Sequence, residues 1–375
     1  MRIERRLRQP RWLTLVVPAG SLVFAFLASG IVLQSTGHDA LSSYRKIIDA
    51  AFLSNGAIGQ TLINATPLAF TGLAAAAAFR MRLFNIGGEG QLYIGAIAAA
   101  AAGLYLGGRG GASPFVIAAM VVAGCAGGAA WALIPGLLRA FFKTNEIITS
   151  LMLNYVAGYV LTYLIFNSES YFRQTEGFNA TVFPTGKPLP SSAEWPTATI
   201  HTQGGIAFPL GAGLALLAAA VLWMLYSRTR FGFEVQVLGD SPRAGHYAGM
   251  RTRRKILAVM AISGAVAGLG GASQDGDFRH TLDADPNGLQ RQYYGYGGIV
   301  VAALGRYNPF AVVLVAFLIG GLQNAGNTLQ GADFPSGLVG VIQGLILFSA
   351  LGGELLVRYR VRFGRRAPEA ATEPA

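Results

Sequence analysis

Charge is scarce in this chain. Of its 375 residues, 13% are Asp, Glu, Lys or Arg, while 53% are apolar. Soluble domains carry about 25% charge, so a water-soluble fold of this size is not expected, and intrinsic disorder is excluded by so much apolar surface. Cysteine is almost absent, which rules out a disulfide scaffold. The single Cys125 sits in the Gly/Ala-rich run 121–130 and reads as a small buried residue rather than a reactive thiol. Histidine is also rare. His38, His201, His246 and His280 lie in different loops, none at metal-ligand spacing with another His or Cys, so no zinc or catalytic centre is expected. No phosphate-cradling G-x-x-x-x-G-K-[ST] loop exists, because Gly186-Lys187 is followed by Pro188. Neither a G-x-S-x-G elbow nor an H-E-x-x-H helix is present. The apparatus of an enzyme is missing, and no cofactor is expected on this chain.

What the chain has instead is glycine, 50 residues of it, and long runs without charge. A helix needs about 20 residues to cross the hydrocarbon of a bilayer, and its backbone must satisfy its own hydrogen bonds there. Ten stretches lack Asp, Glu, Lys and Arg: 12–38, 50–79, 90–108, 110–138, 147–168, 195–227, 256–274, 292–305, 307–332 and 334–353. Nine are long enough to span. The exception, 292–305, contains four glycines and reads as a short or broken helix buried against others. The expected fold is therefore an all-α integral membrane protein of about ten transmembrane helices, some short or broken.

Lys and Arg are retained on the cytoplasmic side of membrane proteins. With the N-terminus inside, the ten-span arrangement places 22 of the 29 cations inside and seven outside, with both termini cytoplasmic. The net charge of +11 is then topogenic and lipid-facing. Nucleic acid is not an expected partner, because the basic runs flank spans and lack interleaved aromatics. The first run also has the basic flank of a cleaved signal peptide, but it is longer than the usual apolar region of one and fits a retained span.

Residues 1–357 are expected to form a single transmembrane domain, followed by a frayed cytoplasmic tail at 358–375. Within it, 167–206 forms an ordered external loop, either a connector or a landing surface for an external partner. The inner loop 228–255 is suited to a short amphipathic helix lying along the membrane face. A weak internal echo links Phe84-Asn85-Ile86-Gly87-Gly88 with Tyr294-Gly295-Tyr296-Gly297-Gly298. Transporters often carry such repeats, with broken helices at corresponding positions along the solute route.

Glu89 stands out, in Asn85-Ile86-Gly87-Gly88-Glu89-Gly90-Gln91 at the start of the third span. A carboxylate at membrane depth normally faces a polar cavity or a partner, so Asn85, Glu89 and Gln91 are candidates to border a hydrated path. The alternative is that Glu89 sits at the interface and caps its helix, where its charge suits the positive end of the dipole. In a second cluster, Thr144 or Asn145 can cap a helix and Glu146 complements its dipole. Asn154 and Tyr155 lie about two turns inside the span, where a buried amide either joins helices or contacts a solute. Gln323, Asn324, Asn327 and Gln343 are further polar residues in or beside spans.

Three motifs in order carry a family resemblance: Phe84-Asn85-Ile86-Gly87-Gly88-Glu89-Gly90-Gln91-Leu92; Asn145-Glu146-Ile147-Ile148 with Met152-Leu153-Asn154-Tyr155; and Gly239-Asp240-Ser241-Pro242-Arg243-Ala244-Gly245-His246-Tyr247-Ala248-Gly249-Met250. Over 50–353 the chain resembles the permease subunits of ATP-binding-cassette importers that serve branched-chain amino acids, simple sugars and nucleosides. It is most similar to the nucleoside permeases paired with a basic-membrane-lipoprotein binding protein. The resemblance implies a multi-pass protein of the bacterial inner membrane that passes a nucleoside or related small polar solute.

The same resemblance implies the partners: a cytoplasmic ATP-binding subunit that holds the ATP, a second permease subunit, and a periplasmic or lipid-anchored solute-binding protein. It also implies that Asp240, Pro242, Arg243, Ala244, Ala248 and Gly249 form a coupling helix docking on the ATPase. Gly245 departs from the alanine usual in that motif, and glycine weakens a helix by up to about 1 kcal/mol. The translocation path would take Asn85, Glu89, Gln91, Asn154 and Tyr155. The competing expectation is a proton- or cation-coupled secondary transporter, with Glu89 and Asp275 or Asp277 binding the coupling ion. Aromatic and amide residues such as Tyr155, Tyr293, Tyr294 and Asn154 suit stacking and hydrogen bonding to a nucleobase.

Overall fold

A computed structural model describes residues 2–5, 13–167, 169–176, 184–200, 206–282, 284, 293–329, 337, 340–342, 344–346, 348–349, 352–353 and 359–362. The chain divides into two compact units, one of Met1–Lys46 with Phe334–Ala375 and one of Ile47–Asp333.

In the first unit, α1 (Leu13–Ser35) is the helix expected of the first apolar run. Gly30 leaves room for the side chain of Tyr44, which donates a hydrogen bond to the carbonyl of Phe26 at 2.5 Å and sets its ring edge-on to that of Phe26. Tyr44 belongs to α2 (Ala40–Ile48), whose first turn is closed by Asp39 accepting from the Ser42 amide at 2.8 Å. That bond holds the Asp39 carboxyl below its ordinary value. Strand β1 (Arg2–Arg5) pairs antiparallel with a strand near the other end of the chain, Tyr359–Arg362. Of the tail at 358–375, only these four residues are described. The last apolar run, 334–353, is described only in pieces, at 337, 340–342, 344–346, 348–349 and 352–353.

The second unit opens with one wide helical turn, Asp49–Leu53. The backbone breaks at Gly56, whose φ of 76° suits a residue without a side chain, and α3 (Ala57–Phe79) follows. The run 50–79 is therefore a turn plus a span rather than one helix. Then come α4 (Gly88–Ala102, continued by the wide turn Gly103–Gly107), α5 (Ser113–Phe142) and α6 (Glu146–Phe166). Next are the strands β2 (Thr197–Ile200) and β3 (Ile206–Pro209), and the helices α7 (Leu210–Arg228), α8 (Arg230–Asp240) and α9 (Pro242–Tyr247). The unit closes with α10 (Thr252–Ser273, continued by Gln274–Arg279), α11 (Tyr294–Leu304) and α12 (Pro309–Leu329).

Seven of these helices are long and apolar enough to cross a membrane: α3, α4 with its wide turn, α5, α6, α7, α10 with its wide turn, and α12. α11, with eleven residues, is the short helix expected at 292–305. One run is corrected. The stretch 195–227 is not helical throughout, because β2 and β3 pair antiparallel from Thr197↔Pro209 to Ile200↔Ile206, and the helix begins only at Leu210. The segment 184–200 is stitched to the end of α10: the Leu189 amide donates to the His280 carbonyl at 2.7 Å and the Trp195 amide to the Gly276 carbonyl at 2.9 Å.

The core is a crossing of α4, α5 and α10 that only glycine permits. A β-carbon on Gly128 of α5 would lie 2.2 Å from the carbonyl oxygen of Gly264 on α10, and one on Gly268 would lie 2.2 Å from that of Gly124. Each pair is spaced by four residues, so one face of each helix is smooth and the backbones meet. A β-carbon on Gly95 of α4 would in turn strike Gly268. In lipid, where apolar burial between helices brings little advantage over lipid contact, this close approach supplies dispersion contacts that bulky side chains would prevent.

Candidate functional site

Beyond α3 the chain runs without helix from Leu83 to Gly87 before α4 begins. Such backbone is tolerated inside a membrane protein only if its polar groups find partners, and here α6 supplies them. The Ile86 amide donates to Ser150 Oγ at 3.2 Å. Asn154, one turn further along α6, accepts from the Gly90 amide at 2.9 Å and donates to the Ile86 carbonyl at 2.9 Å. It satisfies a first-turn N–H of α4 that has no intrahelical partner.

Asn85 and Gln91 face each other as a reciprocal amide pair, each donating to the other's oxygen at 3.0 Å. Asn85 also donates to Ser263 Oγ on α10 at 2.9 Å, and Ser263 passes its own proton to the Ala74 carbonyl on α3 at 2.8 Å. Three helices are thereby tied to one irregular segment.

Glu89 is 4% exposed. One carboxylate oxygen accepts from the Tyr93 hydroxyl one turn along α4, and the other accepts from the Gly295 amide, the second residue of α11. Glu89 thus caps a different helix from its own. Gly295 is obligatory there, since a β-carbon would stand 2.3 Å from the Glu89 nitrogen. The two segments that echo each other in sequence therefore open α4 and α11 and touch.

Thr71 of α3 donates to the Tyr294 carbonyl at 2.8 Å and packs on Gly298. Thr71 lies fourteen residues into α3, which at 1.5 Å per residue is about 21 Å from one end and about 12 Å from the other. The N-terminus of α11 and Glu89 with it are therefore deep within the span. Two helix N-termini thus converge on one buried carboxylate and form a polar centre.

The remaining predicted path residues divide. Asn85, Gln91 and Asn154 are buried in the network just described, and Tyr155 is exposed. Tyr296 joins the site by accepting from Asn154 Nδ2 at 3.2 Å, and its ring lies 6.2 Å from that of Tyr293. Tyr93, Ser150 and Ser263 were missed in the sequence. Tyr93 follows Glu89, and Asn154 follows Ser150, at the spacing of one helical turn, a signal by which Tyr93 and Ser150 could have been found; none marks Ser263. Asn145 rather than Thr144 caps α6, accepting from the Ile147 amide at 3.0 Å, and Glu146 pairs with Arg139 at 3.3 Å.

Asp277 repeats the logic of Glu89 at another place. It accepts from the Gly211 amide at 2.9 Å and from Ser273 Oγ at 2.7 Å, capping the start of α7. Asn324 of α12 donates to the carbonyls of Ala50 and Ala57 at 3.1 and 3.2 Å, holding the break before α3. Gln343 lies outside the described residues.

The segment 228–255 holds two short helices, α8 and α9, rather than one. Ser241 caps α9, accepting from the Ala244 amide at 3.3 Å, and Pro242 occupies the first helical position, where its missing N–H costs nothing. Asp240 pairs with Arg82 of the α3–α4 connection at 2.7 Å. Gly245 is buried against α8, where a β-carbon would stand 2.4 Å from Leu238 Cδ2. The departure from alanine thus has a packing reason. Pro242, Arg243, Ala244 and Ala248 are exposed, Gly249 turns the chain with φ 73°, and Tyr247 is 91% exposed.

The family of branched-chain amino acid transport system permease components matches residues 57–351. The guanosine ABC transporter permease protein NupP of Bacillus subtilis (strain 168) is 33% identical over 353 residues, covering 93% of this chain and 95% of that one. The glucose ABC transporter permease protein TsgB13 of Haloferax volcanii is 32% identical over 390 residues, covering 99% and 97%. The nucleoside ABC transporter permease protein NupB of Lactococcus lactis subsp. cremoris is 29% identical over 339 residues, covering 89% of each.

Proposed function

We propose, from the premise that this chain belongs to the family of branched-chain amino acid transport system permease components, that it passes a nucleoside across the bacterial inner membrane. Being a permease, it conducts a solute and carries out no chemistry of its own. Membership of the family also sets aside the self-driven transporter, since the driving force comes from an ATPase partner and the solute arrives on a binding protein.

The observation that carries the reading is Glu89 joining the starts of α4 and α11 deep in the span. Around it lie the amide groups of Asn85, Gln91 and Asn154, with the phenol rings of Tyr155, Tyr293 and Tyr296 on the same elements. Phenol rings complement the face of a base. The guanosine and nucleoside permeases, similar over about nine-tenths of the chain, support the same class.

Asp240, Pro242, Arg243, Ala244, Ala248 and Gly249 dock on the cytoplasmic ATP-binding subunit. All six are exposed, Pro242, Arg243 and Ala244 on the short helix α9 and the others at its two ends, which suits insertion into a groove. A second permease subunit completes the pore, and a periplasmic or lipid-anchored solute-binding protein delivers the solute. A simple sugar is the second reading, favoured by the glucose permease of Haloferax volcanii.

The test is uptake by the importer reconstituted from this chain with its ATPase, second permease and binding protein. ATP-dependent accumulation of guanosine supports the proposal. Accumulation of glucose alone selects the sugar reading, and uptake of either by this chain unaided overturns both.

A further inference from the structure

The short helix α11 is gripped at both ends. Its start is capped by Glu89, through the Gly295 amide. Past its other end the chain folds back on the last turn, with the Tyr307 amide donating to the Ala302 carbonyl at 3.0 Å. The Tyr307 carbonyl accepts from the Arg80 guanidinium at 3.2 Å, across 227 positions of sequence. The ring of Tyr307 also stands edge-on to that of Phe79, at 5.7 Å. Arg80 is the first residue after α3, just outside its membrane-crossing part.

Arg80 has a second set of contacts, with α7 and α8. Its guanidinium lies over the ring of Tyr226, 5.1 Å from the centroid, and the Tyr226 hydroxyl donates to the Ala77 carbonyl at 3.0 Å. One end of α8 rests on Tyr226, because a β-carbon on Gly232 would overlap its carbonyl. The other end rests on Arg80, since a β-carbon on Gly239 would stand 2.8 Å from the Arg80 carbonyl oxygen. Gly245 then seats α9 on Leu238 of α8. Close-packed groups of this kind transmit a displacement instead of absorbing it. Contact is therefore continuous from α9 through α8 and Arg80 to the turn that ends α11.

The backbone of this junction is also unusual. Of six non-glycine residues with positive φ among the described residues, three stand here: Arg82 at 56°, Arg306 at 50° and Tyr307 at 60°. Such conformations persist only where the surroundings over-determine them, and they gather at switch regions.

We infer that Arg80 is a positioning residue that passes displacement of α9 to the end of α11, and through α11 to the Glu89 centre. The inference rests on the docking of α9 on the ATP-binding subunit and deepens it by naming the residue that carries the movement. The rival route runs along the chain from α9 into α10 and bypasses Arg80.

The test uses the complete importer, supplied with whichever of guanosine or glucose the parent accumulates. The readout is solute moved per ATP hydrolysed, with co-purification of the ATPase subunit and melting temperature recorded beside it. Arg80→Ala is expected to lower that ratio by about threefold or more while the ATPase stays attached. Arg80→Lys keeps a cation for Tyr226 but lacks the fork that spans to Tyr307, and is expected to fall between Ala and the parent. A parental ratio in Arg80→Ala overturns the inference and leaves docking standing. So does a loss of uptake matched by an equal loss of ATP hydrolysis, which is what fewer folded molecules produce. Where Arg80→Ala is not recovered as monodisperse protein, the ratio in Arg80→Lys decides in the same way. A parent from which the ATPase does not co-purify overturns docking and the inference together.

Discussion

Glu89, near the start of α4, accepts a hydrogen bond from the backbone amide of Gly295, 206 residues further along the chain. One carboxylate thereby closes the open N-terminus of a short helix that has no long hydrophobic flank of its own. Glu89→Ala removes the acceptor for both Gly295 and Tyr93, and the expected loss is about 1–3 kcal/mol. Glu89→Gln retains an acceptor and loses less. Thermal unfolding in detergent checks the order parent, Gln, Ala.

Asn154 and Tyr155 are neighbours with opposite exposures, and their variants separate accordingly. Asn154→Leu strands the Gly90 amide and the Ile86 carbonyl. Interhelical bonds of this kind are worth about 0.6–1.7 kcal/mol each, so a lower melting temperature is expected. Tyr155→Leu removes no buried partner and is expected to leave the melting temperature within a few degrees of the parent. Uptake assays on the same variants show whether Tyr155 nevertheless matters to the solute.

The glycine crossing yields a pair of contrasting variants. Gly268→Val places branched carbons against the Gly124 carbonyl and the backbone of Gly128. The expected cost is about 3 kcal/mol or more, because backbone cannot move aside as a side chain can. Gly213→Ala on α7 meets only Phe208 at 3.6 Å. It is expected to change stability by no more than about 1 kcal/mol. The yield and melting temperature of the monodisperse protein in detergent report both.

Beside α9, the exposed Asp240–Arg82 pair contributes little to folding, and Asp240→Asn is expected to shift stability by less than about 1 kcal/mol. Arg243→Glu reverses an exposed charge on α9. If α9 docks on the ATPase, solute uptake falls by about tenfold or more while membrane insertion is unchanged. Unchanged uptake counts against the docking assignment.

The sequence by itself determined that the chain spans a membrane. The uncharged runs place α4 with its wide turn, α5, α6 and α12 to within a few residues, because hydrocarbon penalises charge wherever the chain crosses and the penalty is written residue by residue. It also marked Glu89, since a carboxylate in such a run needs a reason, and it marked 292–305 as too short to cross alone. Composition did not separate β2 and β3 from the apolar run they precede, because a strand pair and a helix start can be equally free of charge.

Tertiary structure alone decided what Glu89 touches. Its acceptor role is settled by the approach of α11, which rests on Gly295 and on Thr71 of α3, contacts separated by about two hundred residues. The same holds for Gly245, a weakness when read along its own helix and a fit once Leu238 lies across from it. Local preference is carried by neighbours in the chain, whereas the partner of a buried polar group is set by which backbones can come close enough to meet.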